Sequence, residues 1–276
     1  MTRAPVHLTR RHLLAGIGLA TAGPAAGLRA QQQRPQTLAI GAMPVPLRLG
    51  PNRDETAVWS LRTDHTPPLR FRQSEAVEVA LHNGLPAPLV LNWHGIDGAP
   101  SIEPLTARRP ALPGETDRFL LPLRQAGTFL CDARLLGDGL AQSSPAQALI
   151  VEERTPVEVD RDEVMLIEDW RLHAEGRPIA PGAGGKTVGA PLYLVNGKPS
   201  LDLTLRPNDR LRLRIINACQ RNAIALGIQN LDVRVMAIDS QPAEPFLARN
   251  GRLVLAPGSR VDAVLDATPP AGTTSA

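Results

Sequence analysis

The strongest constraint on the fold is an apolar period of two that recurs along the chain. Between Ala76 and Asn83, Val77, Val79 and Leu81 alternate with Glu78 and His82. Successive side chains of a strand point to opposite faces, so this stretch predicts a half-buried antiparallel strand. The period returns at Leu201, Leu203 and Leu205, set against Asp202, Thr204 and Arg206. It returns again at Leu211, Leu213 and Ile215, set against Arg210, Arg212 and Arg214. The same reading predicts strands at 89–93, 117–123, 146–151, 164–167, 253–255 and 261–265, one opening at residue 125, and one at Val233 and Val235. Pro and Gly, 27 and 23 in number, are spread between them as turn signals. Short strands at this spacing, with no long helical period, predict an all-β chain of packed sandwiches. At 276 residues there is enough chain for two cores. Pro113-Gly114-Glu115-Thr116 and Pro257-Gly258-Ser259-Arg260 each precede a late strand. That echo predicts two copies of one sandwich.

Charge narrows the class of partner. The formal charge of +3 rests on the first 30 residues, where Arg3, Arg10, Arg11 and Arg29 meet no acid. Without them the balance turns slightly negative, so no nucleic-acid partner is expected. Thr9-Arg10-Arg11-His12-Leu13-Leu14 resembles a twin-arginine export signal, followed by a short apolar run and Leu28-Arg29-Ala30 as a cleavage site. Residues 1–30 are therefore expected to be a signal peptide engaging the twin-arginine machinery through Arg10 and Arg11. The mature chain is expected to be periplasmic or otherwise exported, with no membrane span. The charged stretch around Pro156 marks a boundary, giving domains 31–155 and 156–276. Gly182-Ala183-Gly184-Gly185 lacks the Gly-Lys-Ser/Thr ending of a phosphate loop and is read as a plain loop.

Chemistry-bearing residues are few. Leu89-Val90-Leu91-Asn92-Trp93-His94-Gly95 is an aliphatic strand ending in His-Gly, and Gly127-Thr128-Phe129-Leu130-Cys131-Asp132-Ala133-Arg134 is a second apolar strand with charges at its end. Cys131 and Cys219 are the only cysteines, and the reading favours two buried thiols in different domains over a disulfide. Cys131 lacks the two His that a blue-copper site needs, since His173 is the one His after it. Arg210, Arg212 and Arg214 admit an anion-binding reading, but a solvated sheet face paired with acids is the favoured one.

Taken together, Trp93-His94-Gly95, Pro113-Gly114-Glu115 leading to Gln125-Ala126-Gly127-Thr128-Phe129, Leu194-Val195-Asn196-Gly197, Leu211-Arg212-Leu213-Arg214-Ile215-Ile216-Asn217-Ala218, Ile238-Asp239 with Pro242, and Ala256-Pro257-Gly258-Ser259-Arg260-Val261-Asp262 resemble the multicopper oxidases in order and spacing. The resemblance implies two consecutive cupredoxin-like Greek-key β-sandwiches. It also implies copper ligands at the ends of the two strands, where the family carries His-Trp-His-Gly and His-Ser-His. Here Asn92, Asp132 and Arg134 occupy three of those positions and only His94 remains. Copper favours imidazole and thiolate, and a guanidinium cannot coordinate. His94 is thus the one candidate metal ligand, at a vestigial copper position. The family's last domain is expected to be missing from the chain, or to lie on another one.

These substitutions lead to three expectations. Asp132 and Arg134 should form an ion pair on one strand face, across from Asn92 and His94 on another, with His94 bonded to Asp132 or Asn92. No catalytic residue is assigned, and no cofactor is expected, unless copper is retained with the family function. The chain should act as a non-catalytic envelope or interaction protein with a periplasmic protein partner, as copper-free relatives do. The alternatives are a copper-dependent oxidoreductase or a fragment of one, and a copper-binding accessory protein.

Overall fold

The computed structural model describes residues 35–49, 54–96, 108–136, 145–179, 190–268 and 272. The proposed signal segment, most of the loop expected after Gly95 and the Gly182 loop lie outside them. Residues 34–276 form one compact unit. Its described part is all-β, with a single short 3-10 turn at Arg249–Gly251.

The first eight strands are β1 (Gln36–Arg48), β2 (Glu55–Thr63), β3 (Leu69–Arg72), β4 (Ala76–Asn83), β5 (Leu89–His94), β6 (Thr116–Pro122), β7 (Gly127–Leu135) and β8 (Ala146–Glu152). They form two four-stranded sheets, ordered β2-β1-β4-β6 and β3-β8-β7-β5. Alternation explains the core between them. Val77, Val79 and Leu81 of β4 face Leu89, Leu91 and Trp93 of β5, with Phe129 and Cys131 of β7, all nearly sealed from solvent.

The remaining strands are β9 (Arg161–Trp170), β10 (Leu192–Val195), β11 (Arg210–Asn217), β12 (Ile224–Gly227), β13 (Arg234–Ile238), β14 (Gln241–Leu247), β15 (Arg252–Leu255) and β16 (Arg260–Asp266). Six of them form one sheet, β10-β9-β11-β16-β13-β14, and β12 pairs with β15. Their core gathers Leu211, Leu213, Ile215, Val233, Val235, Leu253 and Val261. Among the described residues no ladder joins β1–β8 to β9–β16.

The halves meet through side chains. Leu130 of β7 and Ala148 and Ile150 of β8 pack on Val164 and Leu166 of β9 and Ile216 of β11. Beside them Val45, Leu49 and Val58 pack on Trp170 and Leu194. β7 and β11 are therefore buried on both faces, and their hydrophobic runs read as continuous for that reason.

Two expectations change. Residues 201–205 keep an alternating exposure but join no ladder. Arg212 and Arg214 do not sit on a solvated face. They are 7% and 1% exposed, because the first half covers their side of the sheet. Arg210, beyond that cover, is exposed and pairs with Asp266 at 2.7 Å.

Candidate functional site

The motif residues stand on two adjacent strands. β5 and β7 run antiparallel, with Asn92 opposite Asp132, Trp93 opposite Cys131 and His94 opposite Leu130. Asn92, His94, Asp132 and Arg134 thus leave one face of one sheet. The expectation of two separate faces meeting is corrected: direct strand pairing makes the four side chains neighbours. Trp93 takes the opposite face and is buried in the core.

The expected ion pair is present. An Arg134 Nη2 group donates to Asp132 Oδ2 at 2.7 Å. The other carboxylate oxygen lies 3.1 Å from His94 Nε2. Asn92 Nδ2 lies 3.0 Å from the same ring nitrogen. One nitrogen cannot accept from an amide and donate to a carboxylate at once. With Asp132 ionised and bound to arginine, Nε2 carries the hydrogen and donates to Asp132, and the Asn92 amide then presents its oxygen. Asp132 is 6% exposed, whereas half of the Arg134 side chain reaches solvent. The other ring nitrogen of His94 faces the second half, where a Cβ on Gly258 would stand 3.4 Å from Nδ1. Among the described residues a cleft of about 40 Å³ lies here, lined by Asp132, Arg134, Cys219 and Gly258 among others.

This donor set does not fit a copper cluster. It offers one imidazole, one carboxamide, a carboxylate already neutralised by arginine, and a permanent cation. Among the described residues, no three His, Cys, Asp or Glu side chains converge as a metal-binding group. The cysteines add nothing to it. Both are free and buried. Burial, reinforced by the Asp132 charge, pushes the Cys131 thiol well up. Cys219 is pushed up to about 12 by burial and then by Asp169. Cys131 packs in the sandwich core, on the opposite face of β7 from Asp132.

Arg212 and Arg214, expected to pair with acids on a solvated face, pair with them in a buried cluster instead. Arg214 grips Asp162 with two hydrogen bonds, Nε to Oδ1 at 2.6 Å and Nη2 to Oδ2 at 2.7 Å. Its Nη1 donates to Thr128 Oγ1 at 2.9 Å, and Thr128 in turn donates to Asp262 Oδ1 at 2.5 Å. Arg212 Nη2 bridges Asp262 and Glu153, each at 2.7 Å. Burial works against the Arg212 cation, yet its bonds to Glu153 and Asp262 hold its pKa above the usual value. Thr128, Glu153 and Arg70 come from the first half, so the network ties the halves together. The signal lay in the acids Asp162 and Asp262, which the strand order sets beside Arg214.

The architecture and the β5–β7 strand ends define a cupredoxin-like β-sandwich protein, and comparison carries this further. Residues 161–273 match the family model for multicopper oxidase. Laccase-6 of Oryza sativa subsp. japonica is 27% identical over 235 residues, covering 74% of this chain and 39% of that protein. Multicopper oxidase MmcO of Mycobacterium tuberculosis is 25% identical over 218 residues, covering 65% and 42%. Among solved structures, a multi-copper oxidase from Pseudomonas thermotolerans superposes with a TM-score of 0.73 at 24% identity, over 88% of this chain and 60% of that one. Lac15 from a marine microbial metagenome gives 0.68 at 26% identity, over 86% and 61%. By these likenesses the chain is similar to the multicopper oxidases, most directly over residues 161–273. It spans about two-fifths of the length of the curated relatives it matches.

Proposed function

We propose that this chain is an exported family member whose first sandwich no longer builds a copper cluster, and that it works as a non-catalytic envelope or interaction protein. The observation that carries the reading is Asp132, held between Arg134 and His94. Charge-assisted hydrogen bonds occupy the place where the family's ligands converge, and the guanidinium adds a fixed positive charge that opposes a copper ion. Export would follow from Arg10 and Arg11, and the two domains would divide between β8 and β9. Among the described residues, no helix is long and apolar enough to cross a membrane.

The test is metal analysis and visible spectroscopy of the purified mature chain after incubation with excess Cu(II) and dialysis. Substoichiometric copper and no blue band are expected. Stoichiometric copper overturns the reading.

A second reading is favoured by the short span relative to the curated relatives: the chain is one piece of a copper-dependent oxidoreductase. A His-Cys-His segment encoded downstream in the same frame, together with oxygen consumption by the combined protein, would support it. Even then His94 alone would stand where the family carries four imidazoles in this domain.

A further inference from the structure

The two halves do not close on each other everywhere. A cavity of about 510 Å³ lies between β1, β2 and β8 on one side and β9 on the other. That volume is in the range of small-molecule sites, roughly 300–1,000 Å³. Val164, Leu166, Glu168 and Trp170 alternate along β9 and line one wall. Val58, Trp59 and Leu61 of β2 belong to the facing wall. The walls are mostly apolar and aromatic, and the polar groups are incompletely paired. Trp170 is 5% exposed, and its indole Nε1 has no hydrogen-bond partner; neither has Gln147 Oε1, which also lines the cavity.

Glu168 is the conspicuous group. It is half-buried, and its carboxylate has no hydrogen bond or ion pair among the described residues. Burial first, and then the like charge of Asp169, push its pKa up to about 7. The other charges along the cavity are committed or turned away. Asp162 is held by Arg214, Glu163 pairs with Arg161, and Arg70 of β3 pairs with Asp162 and Glu152. Arg62 of β2 is exposed and makes no ion pair with Glu168. A half-buried carboxylate without a counter-charge carries a desolvation cost that a bound cation would relieve. Indole faces also attract cations, by about 0.5–2 kcal/mol each.

We propose that this cavity binds a small organic cation, an amine or quaternary ammonium compound, through the Glu168 carboxylate and the rings of Trp59 and Trp170. An anion would be repelled by Glu168, and a neutral ligand would leave it uncompensated. The site stands on the cavity alone and does not depend on whether copper is lost.

Calorimetric titration of the full mature chain tests it, with tetramethylammonium, choline and benzyltrimethylammonium as probes. The uncharged isostere of choline, dimethylbutanol, is the comparison. At about pH 8 at least one ammonium probe should bind at least about tenfold more tightly than the alcohol. Affinity should fall about tenfold or more by about pH 5.5, as Glu168 takes up its proton. Glu168→Gln keeps the volume and should erase the preference for the cation while the protein stays folded, as judged by its melting temperature. The proposal is overturned if no ammonium probe binds below about millimolar, if the alcohol binds equally well, or if folded Glu168→Gln keeps the preference.

Discussion

The two halves repeat one three-strand unit and put it to different use. β1 runs parallel to β4, which pairs antiparallel with β6; β9, β11 and β16 repeat this arrangement. Each unit ends on a fully buried asparagine. Asn83 Nδ2 donates to the carbonyls of Ala87 and Ala111 at 2.9 and 2.8 Å, and its Oδ1 accepts from Leu85 N at 3.0 Å. Asn217 does the same with Asn222, Leu255 and Cys219 at 3.0, 2.9 and 3.0 Å. Gly114 and Gly258 return to the asparagine carbonyls, both at φ +81°. The outer faces then diverge. In the first half Ala80 lies opposite Arg118, which pairs with Glu78 at 3.9 Å in solvent. At the matching positions Arg214 lies opposite Asp262, which pairs with Arg212 at 2.7 Å, sealed between the sandwiches. One backbone unit thus carries a screened pair in one copy and a buried pair in the other. Burial decides the energy, and the strand position alone does not.

Removing the acid or base tests that contrast most severely. Asp262→Ala leaves two buried guanidinium groups and Thr128 short of a partner and should cost about 3–5 kcal/mol in denaturant unfolding. Arg118→Ala should cost less than about 1 kcal/mol. Equal losses would break the comparison. The asparagine corners should behave alike: Asn83→Ala and Asn217→Ala each orphan several buried backbone groups and should each lose about 2–3 kcal/mol. A gap between them above about 1 kcal/mol would show that the geometric repeat is not an energetic one.

pH offers a finer probe, with opposite signs along β9. Burial opposes the Asp162 charge, but Arg214 prevails and holds the carboxyl below its usual 3.8. Its stabilisation is complete above that value and is lost as pH falls through the lower folded value. Glu168 is the reverse: stability is lost as pH rises from 4.5 towards about 7. Thermal melts should therefore peak between 3.8 and 4.5, above the acid limb of Asp162 and below the decline from Glu168. Glu168→Gln should remove the decline on the alkaline side by about 1–3 kcal/mol and leave the acid limb unchanged. The most local probe concerns the turns. Gly114→Ala and Gly258→Ala should each cost about 1–2 kcal/mol for the left-handed backbone. Only the second should shift the ring resonances of His94, because nothing lies within 4 Å of a Cβ at Gly114.

Much of the frame was legible in the sequence because period-two alternation survives wherever one face meets a core. Val77, Val79 and Leu81 point inward as their spacing requires. The ion pair at Asp132 and Arg134 was legible too, because residues two apart share a face. The side on which Arg212 and Arg214 end up was not. Alternation tells two faces apart, but it does not say which is covered by another sheet. Glu168 was passed over for the same reason, since a lone acid within a strand resembles a solvated one until β1 and β2 are placed against it. β14 was missed because Pro242 and Pro245 argue against an interior strand.

Those prolines have a consequence of their own. β14 is the last strand of the six-stranded sheet, with Phe246 and Leu247 about half exposed. An open sheet edge invites another chain to add a strand through its main-chain donors. Two of the seven residues of this edge have no N–H to offer. The border is thereby suited to contact through protruding side chains and poorly suited to extending the sheet, so an apolar rim can stay on display without drawing neighbouring molecules into a growing ribbon.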